Sequence, residues 1–274
     1  MAEYLVNSYG IDADATWLLN YHEIHLMLQT NPDGRKKAET GLLWRKNTNQ
    51  NYCGPDSNAR GADLNRNFRF YWSCCGGSSG FQCAYTFHGP SPASEPETQS
   101  VQNYIYINFK DQRGENINDA APLNASGLYL DIHSSGRLIL WPWGFTSDPA
   151  PNATQLQTLG RKLAFFNGHT PIQSYGLYPT DGTTISFAYG EMGLAGFRCE
   201  RIYSRVESNI QNASIVAWVI AKTVNCEPTT VNGYSFLCAG EMPAATGGFS
   251  VRSFFTSVRQ ANSIHTARLS GVTC

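Results

Sequence analysis

The stretch Gly127-Leu-Tyr-Leu-Asp-Ile-His-Ser-Ser-Gly-Arg-Leu-Ile-Leu-Trp-Pro-Trp-Gly144 decides the fold of this chain. Its first apolar run, 128–132, lies between two glycines and is typical of a buried strand. A second apolar run, 138–141, is stopped by a proline and a glycine. His133 directly follows the first run, and open α/β sheets place their chemistry at strand ends. We therefore expect His133 to mark the functional edge of a sheet.

Composition limits the class of protein. The chain has 274 residues, of which 42% are apolar and 15% charged, with a formal net charge of −1. These values describe a globular chain long enough for one large domain. The near-neutral charge gives no reason to expect nucleic acid or an anionic membrane as a partner. No apolar run reaches the roughly 20 residues that cross a bilayer, and we expect a monomer.

The eight cysteines indicate an oxidising environment. None of them forms a C-x-x-C pair, which argues against a structural zinc knuckle. The first five residues have neither the basic nor the apolar region of a secretory signal peptide. The chain is therefore expected to be secreted, either with its signal peptide removed or with further sequence before Met1.

The pattern along the chain predicts both strands and helices. Alternating apolar residues at 24–29 predict a strand that runs into a turn at 31–34 (NPDG). A helix is expected to begin near Ser94, which fits an N-cap with Glu97 three residues later. Two more helices are expected, from Asn152 to Asn167 and from Ile210 to Val224.

Two further segments carry residues suited to binding a carboxylate or to general-base catalysis. Residues 61–68 (GADLNRNF) place Asn65 beside Arg66, and an arginine can bind a carboxylate through two hydrogen bonds while an asparagine adds another. Glu200 ends an apolar stretch, where a carboxylate can act as a general base. The alternatives are a surface loop with a capping asparagine for the first segment and a surface ion pair for Glu200.

Taken together and in this order, the segments resemble the zinc metallocarboxypeptidases, the carboxypeptidase A- and T-like family. The resemblance covers roughly residues 4–200. The matching segments are 30–34 (TNPDG), 43–46 (LWRK), 61–67 (GADLNRN), 86–89 (TFHG), 94–97 (SEPE), 131–134 (DIHS), Tyr178 and Glu200. The family resemblance implies an α/β fold, a three-layer sandwich with a central mixed β-sheet flanked by helices, with its first strands missing here.

The resemblance also implies a zinc-dependent enzyme that removes C-terminal residues from peptides or proteins with a free C-terminus. It assigns His133 as a zinc ligand, Glu200 as the general base and Arg45 as the group that polarises the scissile carbonyl. The family's substrate-binding positions fall on Asn65 and Arg66 for the terminal carboxylate, Tyr178 for the mobile tyrosine, and Ile185 for the floor of the specificity pocket. An apolar Ile185 implies release of neutral or hydrophobic residues.

Two departures from the family pattern affect the expected activity. The family supplies its other zinc ligands from a His-x-x-Glu motif before Asn-Pro-Asp-Gly, and no such motif precedes Asn31 here. Only one zinc ligand, His133, is therefore expected, and the chain is interpreted as N-terminally truncated and inactive by itself. The resemblance is also lost after Glu200. We expect a partial catalytic domain at 1–225 and a tail at 226–274 that is poorly ordered or frame-disrupted.

Two other functions stay open, and one disulfide is expected. A non-catalytic protein that binds peptide C-termini could keep Asn65, Arg66 and Arg45 without the metal. A serine hydrolase using Ser134 or Ser135 is disfavoured, because no Gly-x-Ser-x-Gly elbow surrounds them. Cys53 is expected to pair with Cys83, which would enclose the loop that carries the asparagine–arginine pair.

Overall fold

The strand that ends beside His133 lies inside the main sheet. The computed structural model describes residues 2–134, 136–201, 217–223, 229–231 and 234–236, the last three segments by their backbone. The strands are β1 (His22–Met27), β2 (Leu128–Ser134), β3 (Leu138–Trp141), β4 (Thr170–Gln173), β5 (Ala195–Arg201), β6 (Ala217–Thr223), β7 (Thr229–Val231) and β8 (Tyr234–Phe236). Every residue of β2 before Ser134 is buried. Burial on both faces explains why its apolar run is nearly continuous.

The main sheet has six strands in the order β1-β6-β2-β5-β3-β4, and β7 pairs with β8 in a separate two-stranded sheet. β2 runs parallel to β5, and β3 runs parallel to β4. The pairs β1–β6, β2–β6 and β3–β5 are antiparallel. The expected mixed sheet is therefore confirmed.

The helix expected from Ile210 to Val224 is wrong over most of its second half. Residues 217–223 form β6, which pairs on one side with β1 and on the other with β2. This segment, AWVIAKT, contains Trp, Val, Ile and Thr, residues that favour strands when pairing partners are available. Residues 210–216 and 224 lie outside the described part of the chain.

Six α-helices flank the sheet in the described residues. They are α1 (Ala2–Ser8), α2 (Ala13–Tyr21), α3 (Pro32–Glu39), α4 (Pro96–Asn108), α5 (Ala153–Asn167) and α6 (Thr184–Met192). The helix expected from Asn152 to Asn167 is confirmed as α5, with Asn152 at its N-cap position. The Asn-Pro-Asp-Gly segment, expected as a turn, instead opens α3. The Asn31 side chain caps that helix by accepting from the Gly34 backbone N–H, and Pro32 fits its first turn.

The helix expected near Ser94 exists, but Ser94 does not cap it. α4 begins at Pro96, and Glu95 holds the N-cap position without a side-chain capping bond. The Ser94 hydroxyl instead donates to Glu95 at 2.8 Å and accepts from the Asn67 side chain at 2.9 Å. A tertiary contact has therefore replaced the local cap.

Two cores cover the two faces of the sheet and make it the middle layer. Leu130 of β2 and Phe197 of β5 pack with Leu156 and Leu159 of α5 in one core. The second core joins other β2, β3, α4 and α6 residues: Tyr129, Leu140, Val101, Ile105 and Phe187. Because strand side chains alternate, His133 shares its face with Tyr129 and so lies on the α4 and α6 side.

No α-helix of the described residues is long and apolar enough to cross a membrane. Of the tail expected at 226–274, only the backbone of β7 and β8 is described, so the boundary at 225 stays a prediction.

The expected disulfide between Cys53 and Cys83 is confirmed, with Cα atoms 4.9 Å apart and a sequence separation of 30. It encloses the segment that carries Asn65 and Arg66. A second disulfide joins the adjacent residues Cys74 and Cys75 inside the same segment.

Replacing both Cys53 and Cys83 by serine is expected to lower the free energy of unfolding by about 3–4 kcal/mol, because the unfolded chain regains the entropy of a closed loop of about 30 residues. Urea unfolding followed by fluorescence measures this. The control is the double serine variant of Cys74 and Cys75, which opens no long loop and should lose clearly less. Equal losses in the two variants would contradict the loop-closure explanation.

Candidate functional site

The parallel pairing of β2 with β5 brings His133 and Glu200 together. The two residues lie opposite each other in the strand register, although they are far apart in the sequence. His133 is 3% exposed and Glu200 is 4% exposed. Both are delivered at the carboxyl ends of neighbouring parallel strands, the edge at which α/β sheets bind ligands. The expected position of His133 at a strand end is thus confirmed.

His133 is held by polar contacts through one ring nitrogen. Its Nε2 lies 2.8 Å from Asp131 Oδ2 and 3.3 Å from the Asn65 amide nitrogen. The Thr184 hydroxyl also donates to Asp131, and the Thr184 backbone N–H donates to the side-chain oxygen Oδ1 of Asn65 at 2.9 Å. Within the described residues Nδ1 makes no hydrogen bond. A carboxylate behind one histidine nitrogen is the usual arrangement when the other nitrogen binds a metal.

The charge of Asp131 fits this supporting role. Complete burial would raise the pKa of the Asp131 carboxyl group, but His133, Thr184 and Arg198 bring it below its ordinary value. Asp131 is therefore a carboxylate at neutral pH, able to accept the hydrogen bonds described above.

Arg45 lies at the same end of the sheet, in a loop, and is held by Asp63. Its Nε donates to Asp63 Oδ2 at 2.8 Å, and the Arg45 guanidinium stacks 5.6 Å from the ring centre of Tyr85. Burial would lower the pKa of Arg45, but Asp63 raises it above its ordinary value. Arg45 is therefore a fixed positive charge whose direction is set by one carboxylate.

Arg66 is a buried guanidinium held by the backbone. It is 1% exposed; its Nε donates to the Gly77 carbonyl at 3.0 Å, and Nη1 donates to the Asn65 carbonyl at 2.6 Å. No carboxylate of the described residues lies within ion-pair distance of it. Burial and the nearby positive charges of Arg45 and Arg198 lower its pKa, while Asp63 opposes this effect. A second negative charge near Arg66 would therefore be stabilising.

Tyr178 and Ile185 border the same region in different ways. Tyr178 is 44% exposed. Burial would raise the pKa of its phenol, but Arg198, Arg66 and Arg45 bring it below the ordinary value of 10.0, so three arginines lie within electrostatic reach of this ring. Ile185 is only 2% exposed and belongs to the second core. The structure therefore brings the expected site residues to one region, while packing the Ile185 side chain into the core.

Four residues of this region were missed by the sequence interpretation: Asp63, Asp131, Thr184 and Arg198. Two of them carried a readable signal. Asp131 precedes His133 by two residues, and Arg198 precedes Glu200 by two. Because side chains two apart in a strand lie on one face, this spacing was a signal that both share a face with the site, and the sequence interpretation did not use it. Asp63 and Thr184 lie on loop and helix starts, and only the tertiary fold reveals their contacts.

Within the described part of the chain, the residues do not complete a catalytic zinc centre. Such centres use three protein ligands together with water, whereas the described residues contain no group of three metal-ligating side chains. His133, whose Nε2 is hydrogen-bonded to Asp131, is suited to be one zinc ligand through its Nδ1 atom. One ligand is too few, so this part of the chain does not form the centre by itself.

The structure has an α/β sheet with His133 and Glu200 opposite each other at the carboxyl ends of two parallel strands, and comparison with known proteins gives the family. The zinc carboxypeptidase family model matches residues 1–207, so the chain belongs to the zinc carboxypeptidase family. Human Carboxypeptidase A5 is 32% identical over 198 residues, covering 69% of this chain and 41% of that protein. The chain thus spans less than half the length of this relative.

Solved structures agree on the fold. The thrombin activatable fibrinolysis inhibitor (TAFI) aligns with a TM-score of 0.59 at 22% identity, covering 77% of this chain and 50% of that one. Carboxypeptidase A from Helicoverpa armigera aligns with a TM-score of 0.51 at 29% identity, covering 64% and 41%. The expected α/β sandwich of this family is therefore confirmed.

The Asp63 carboxylate predicts a specific acid sensitivity. Burial would raise its pKa, but Arg45 and Arg66 bring it below the ordinary value of 3.8. A carboxyl group with a depressed folded-state pKa stabilises the protein above its unfolded pKa, and this contribution is lost as the pH falls through the folded-state pKa. Asp63→Asn should therefore show a weaker loss of stability with falling pH, below about pH 5.

Urea unfolding at a series of pH values measures this difference. At neutral pH, Asp63→Asn should lose about 3–5 kcal/mol, because it removes the carboxylate that accepts from the buried Arg45 side chain. Asp56→Asn, at an exposed aspartate, is the control and should change stability by no more than about 0.5 kcal/mol. If the free energy of unfolding falls equally steeply with decreasing pH in Asp63→Asn and in the unchanged chain, Asp63 is not the source of the acid sensitivity.

Proposed function

We propose that this chain binds the free C-terminus of peptides and belongs to an enzyme that hydrolyses the last peptide bond. The observation that carries the proposal is Arg66, a buried guanidinium without a carboxylate partner in the described residues. Arg66 directly follows Asn65, whose side-chain nitrogen lies 3.3 Å from His133 Nε2. A terminal carboxylate supplies the missing negative charge and accepts two hydrogen bonds from a guanidinium. A peptide whose terminal carboxylate is bound by Arg66 places its last peptide bond toward the edge of the sheet that carries His133 and Glu200.

The other residues then have consistent proposed roles. Arg45 holds a fixed positive charge where the carbonyl oxygen of the last peptide bond becomes negative during hydrolysis. Glu200 accepts the proton of the attacking water as general base. Tyr178, the partly exposed member of the group, closes over the bound residue. Recognition thus rests on Asn65 and Arg66, and catalysis on Glu200 and Arg45.

Zinc enters this proposal through the family. When bound, Zn²⁺ polarises a carbonyl group and lowers the pKa of water. His133 is the residue of this chain that would contribute to holding it, with Asp131 fixing the ring. Because the described residues offer no set of three ligands, hydrolysis is proposed for a protein in which further ligands join His133.

The same observation favours a second candidate function. A pseudo-peptidase that binds peptide C-termini without cleaving them needs Arg66, Asn65 and Arg45, and it needs no metal. A serine hydrolase gains no support, since the buried Ser134 hydroxyl makes no hydrogen bond within the described residues; Ser135 lies outside them.

We also propose that the protein works outside the cell as a monomer on peptide or protein substrates. The disulfides Cys53–Cys83 and Cys74–Cys75, together with the disulfide-bonded Cys199, support an oxidising environment. The neutral net charge supports peptides over nucleic acids as partners. The sequence expectation of neutral or hydrophobic released residues rests on Ile185 alone.

Removal of the guanidinium should weaken binding of free C-termini. In calorimetry with N-acetyl-Ala-Phe, Arg66→Ala should bind about 30-fold or more weakly, because a desolvated charged hydrogen-bond pair is lost. Arg66→Lys keeps the positive charge but cannot form the bidentate hydrogen bonds of a guanidinium, and it should give an intermediate loss of affinity. The amidated peptide should bind weakly to every variant. If the acid and the amide bind the unchanged chain equally, the proposed function is wrong.

Metal binding separates the two candidate functions. The 274-residue chain, dialysed against zinc and then against buffer, is expected to retain much less than one zinc per chain, because His133 is the single expected ligand. Atomic absorption measures the metal. One retained zinc per chain that disappears in His133→Ala would show that two ligands were missed, and it would remove the case for a pseudo-peptidase.

A further inference from the structure

Arg198 is a charged residue placed where the sequence interpretation expected an apolar pocket. In β5 it lies opposite Asp131 of β2 and opposite Leu140 of β3. Glu200 is the next residue on the same face, because side chains alternate along a strand. Arg198 is therefore the residue before Glu200 on this face of β5, farther from the carboxyl end of the strand.

The backbone of Ile185 lies against this face of β5, beside Gly196. On the same face of β5, the residue below Arg198 is Gly196, and even a methyl group there would lie 2.8 Å from the carbonyl oxygen of Ile185. The start of α6 thus closes over Gly196. Along this face, Ile185 comes first, Arg198 second and Glu200 last. The guanidinium of Arg198 lies between the expected floor and the catalytic edge.

Arg198 is buried, and its hydrogen-bonding capacity is only partly used. The side chain is 7% exposed, and one terminal nitrogen pairs with Glu200. Its Nε is buried and has no hydrogen-bond partner among the described residues. Leaving a buried donor of a charged group unpaired is costly, and a guanidinium has five N–H donors. Arg198 therefore has donors for a further acceptor inside the pocket.

We propose that Arg198 determines substrate specificity by binding the side-chain carboxylate of a C-terminal glutamate or aspartate. This inference rests on the proposed function, in which Arg66 holds the terminal carboxylate of the same residue. The incoming side-chain carboxylate accepts from the Arg198 donors that Glu200 leaves unused. The pocket then prefers an acidic residue over the neutral or hydrophobic one that Ile185 alone implied.

The charges around the pocket agree with this assignment. In the described residues the paired groups nearby are Arg45 with Asp63, Arg198 with Glu200, and His133 with Asp131. A ligand that carries two carboxylates gives Arg66 a partner and gives Arg198 a second acceptor. A ligand with an apolar side chain leaves the buried Nε donor of Arg198 unpaired, which lowers the affinity of that ligand.

Binding of short peptides to the 274-residue chain, without added metal, tests the proposal. N-acetyl-Ala-Glu is compared with N-acetyl-Ala-Gln, which has nearly the same shape without the charge, and with N-acetyl-Ala-Phe. In calorimetry the glutamate peptide should bind about tenfold or more tightly than either, as expected for a charge-assisted hydrogen bond. In Arg198→Gln this preference should disappear, while Arg198→Lys should keep part of it.

Arg161→Gln is the matched control, since it removes the same charge from an exposed position on α5, which packs on the opposite face of the sheet. It should leave the preference unchanged, and thermal melting checks that each variant is folded. If Arg198→Gln does not fold, the affinities of the unchanged chain for the glutamate and glutamine peptides still test the proposal. Equal affinities for these two peptides would refute the role of Arg198.

The possible failures differ from one another. If all three free acids bind better than their amides but the phenylalanine peptide binds as tightly as the glutamate peptide, the role of Arg198 is refuted and the proposed function stands. If free acids bind no better than amides, the proposed function fails and this inference fails with it.

Discussion

The parallel pairing of β2 with β5 is the constraint on which the rest of the site depends. Its register sets His133 opposite Glu200 and Asp131 opposite Arg198 on one face of the sheet. The other face is occupied by Leu130, Ile132 and Phe197, which are buried in the first core. A shift of one residue would exchange the two faces and bury the charged groups among apolar ones. The hydrophobic core therefore fixes the geometry of the polar site.

Buried polar contacts, rather than regular secondary structure, hold the loops at this edge of the sheet. Asn65 contacts both His133 and Thr184, so one amide joins a loop, a strand and a helix. The Lys46 ammonium donates to three backbone carbonyls, those of Ala59, Gln82 and Ala84. Buried polar groups must find partners, and here those partners belong to distant segments. The position of Arg45, next to Lys46, is thus a property of the whole fold.

The sequence revealed those features that depend on local pattern. The strands around His133 and Glu200 were readable because a strand buried on both faces gives a continuous apolar run. Residues 217–223 were not, because a short apolar run suits a helix or a strand until its neighbours are known. Ser94 fits a cap by local rules, yet Asn67 engages its hydroxyl. The site residues came from ordered motifs, whereas the importance of Arg198 depends on which strand lies beside it.

The place of β6 in the sheet has a consequence for how the chain assembles. β6 lies between β1 and β2, and His22 pairs with Thr223. The N-terminal strand therefore cannot reach its place beside the other strands until almost the whole described chain has been synthesised. Closing so long a loop is entropically unfavourable, and such distant pairings slow folding. During synthesis, an edge of β2 stays unpaired and open to other strands, as an exposed template for association.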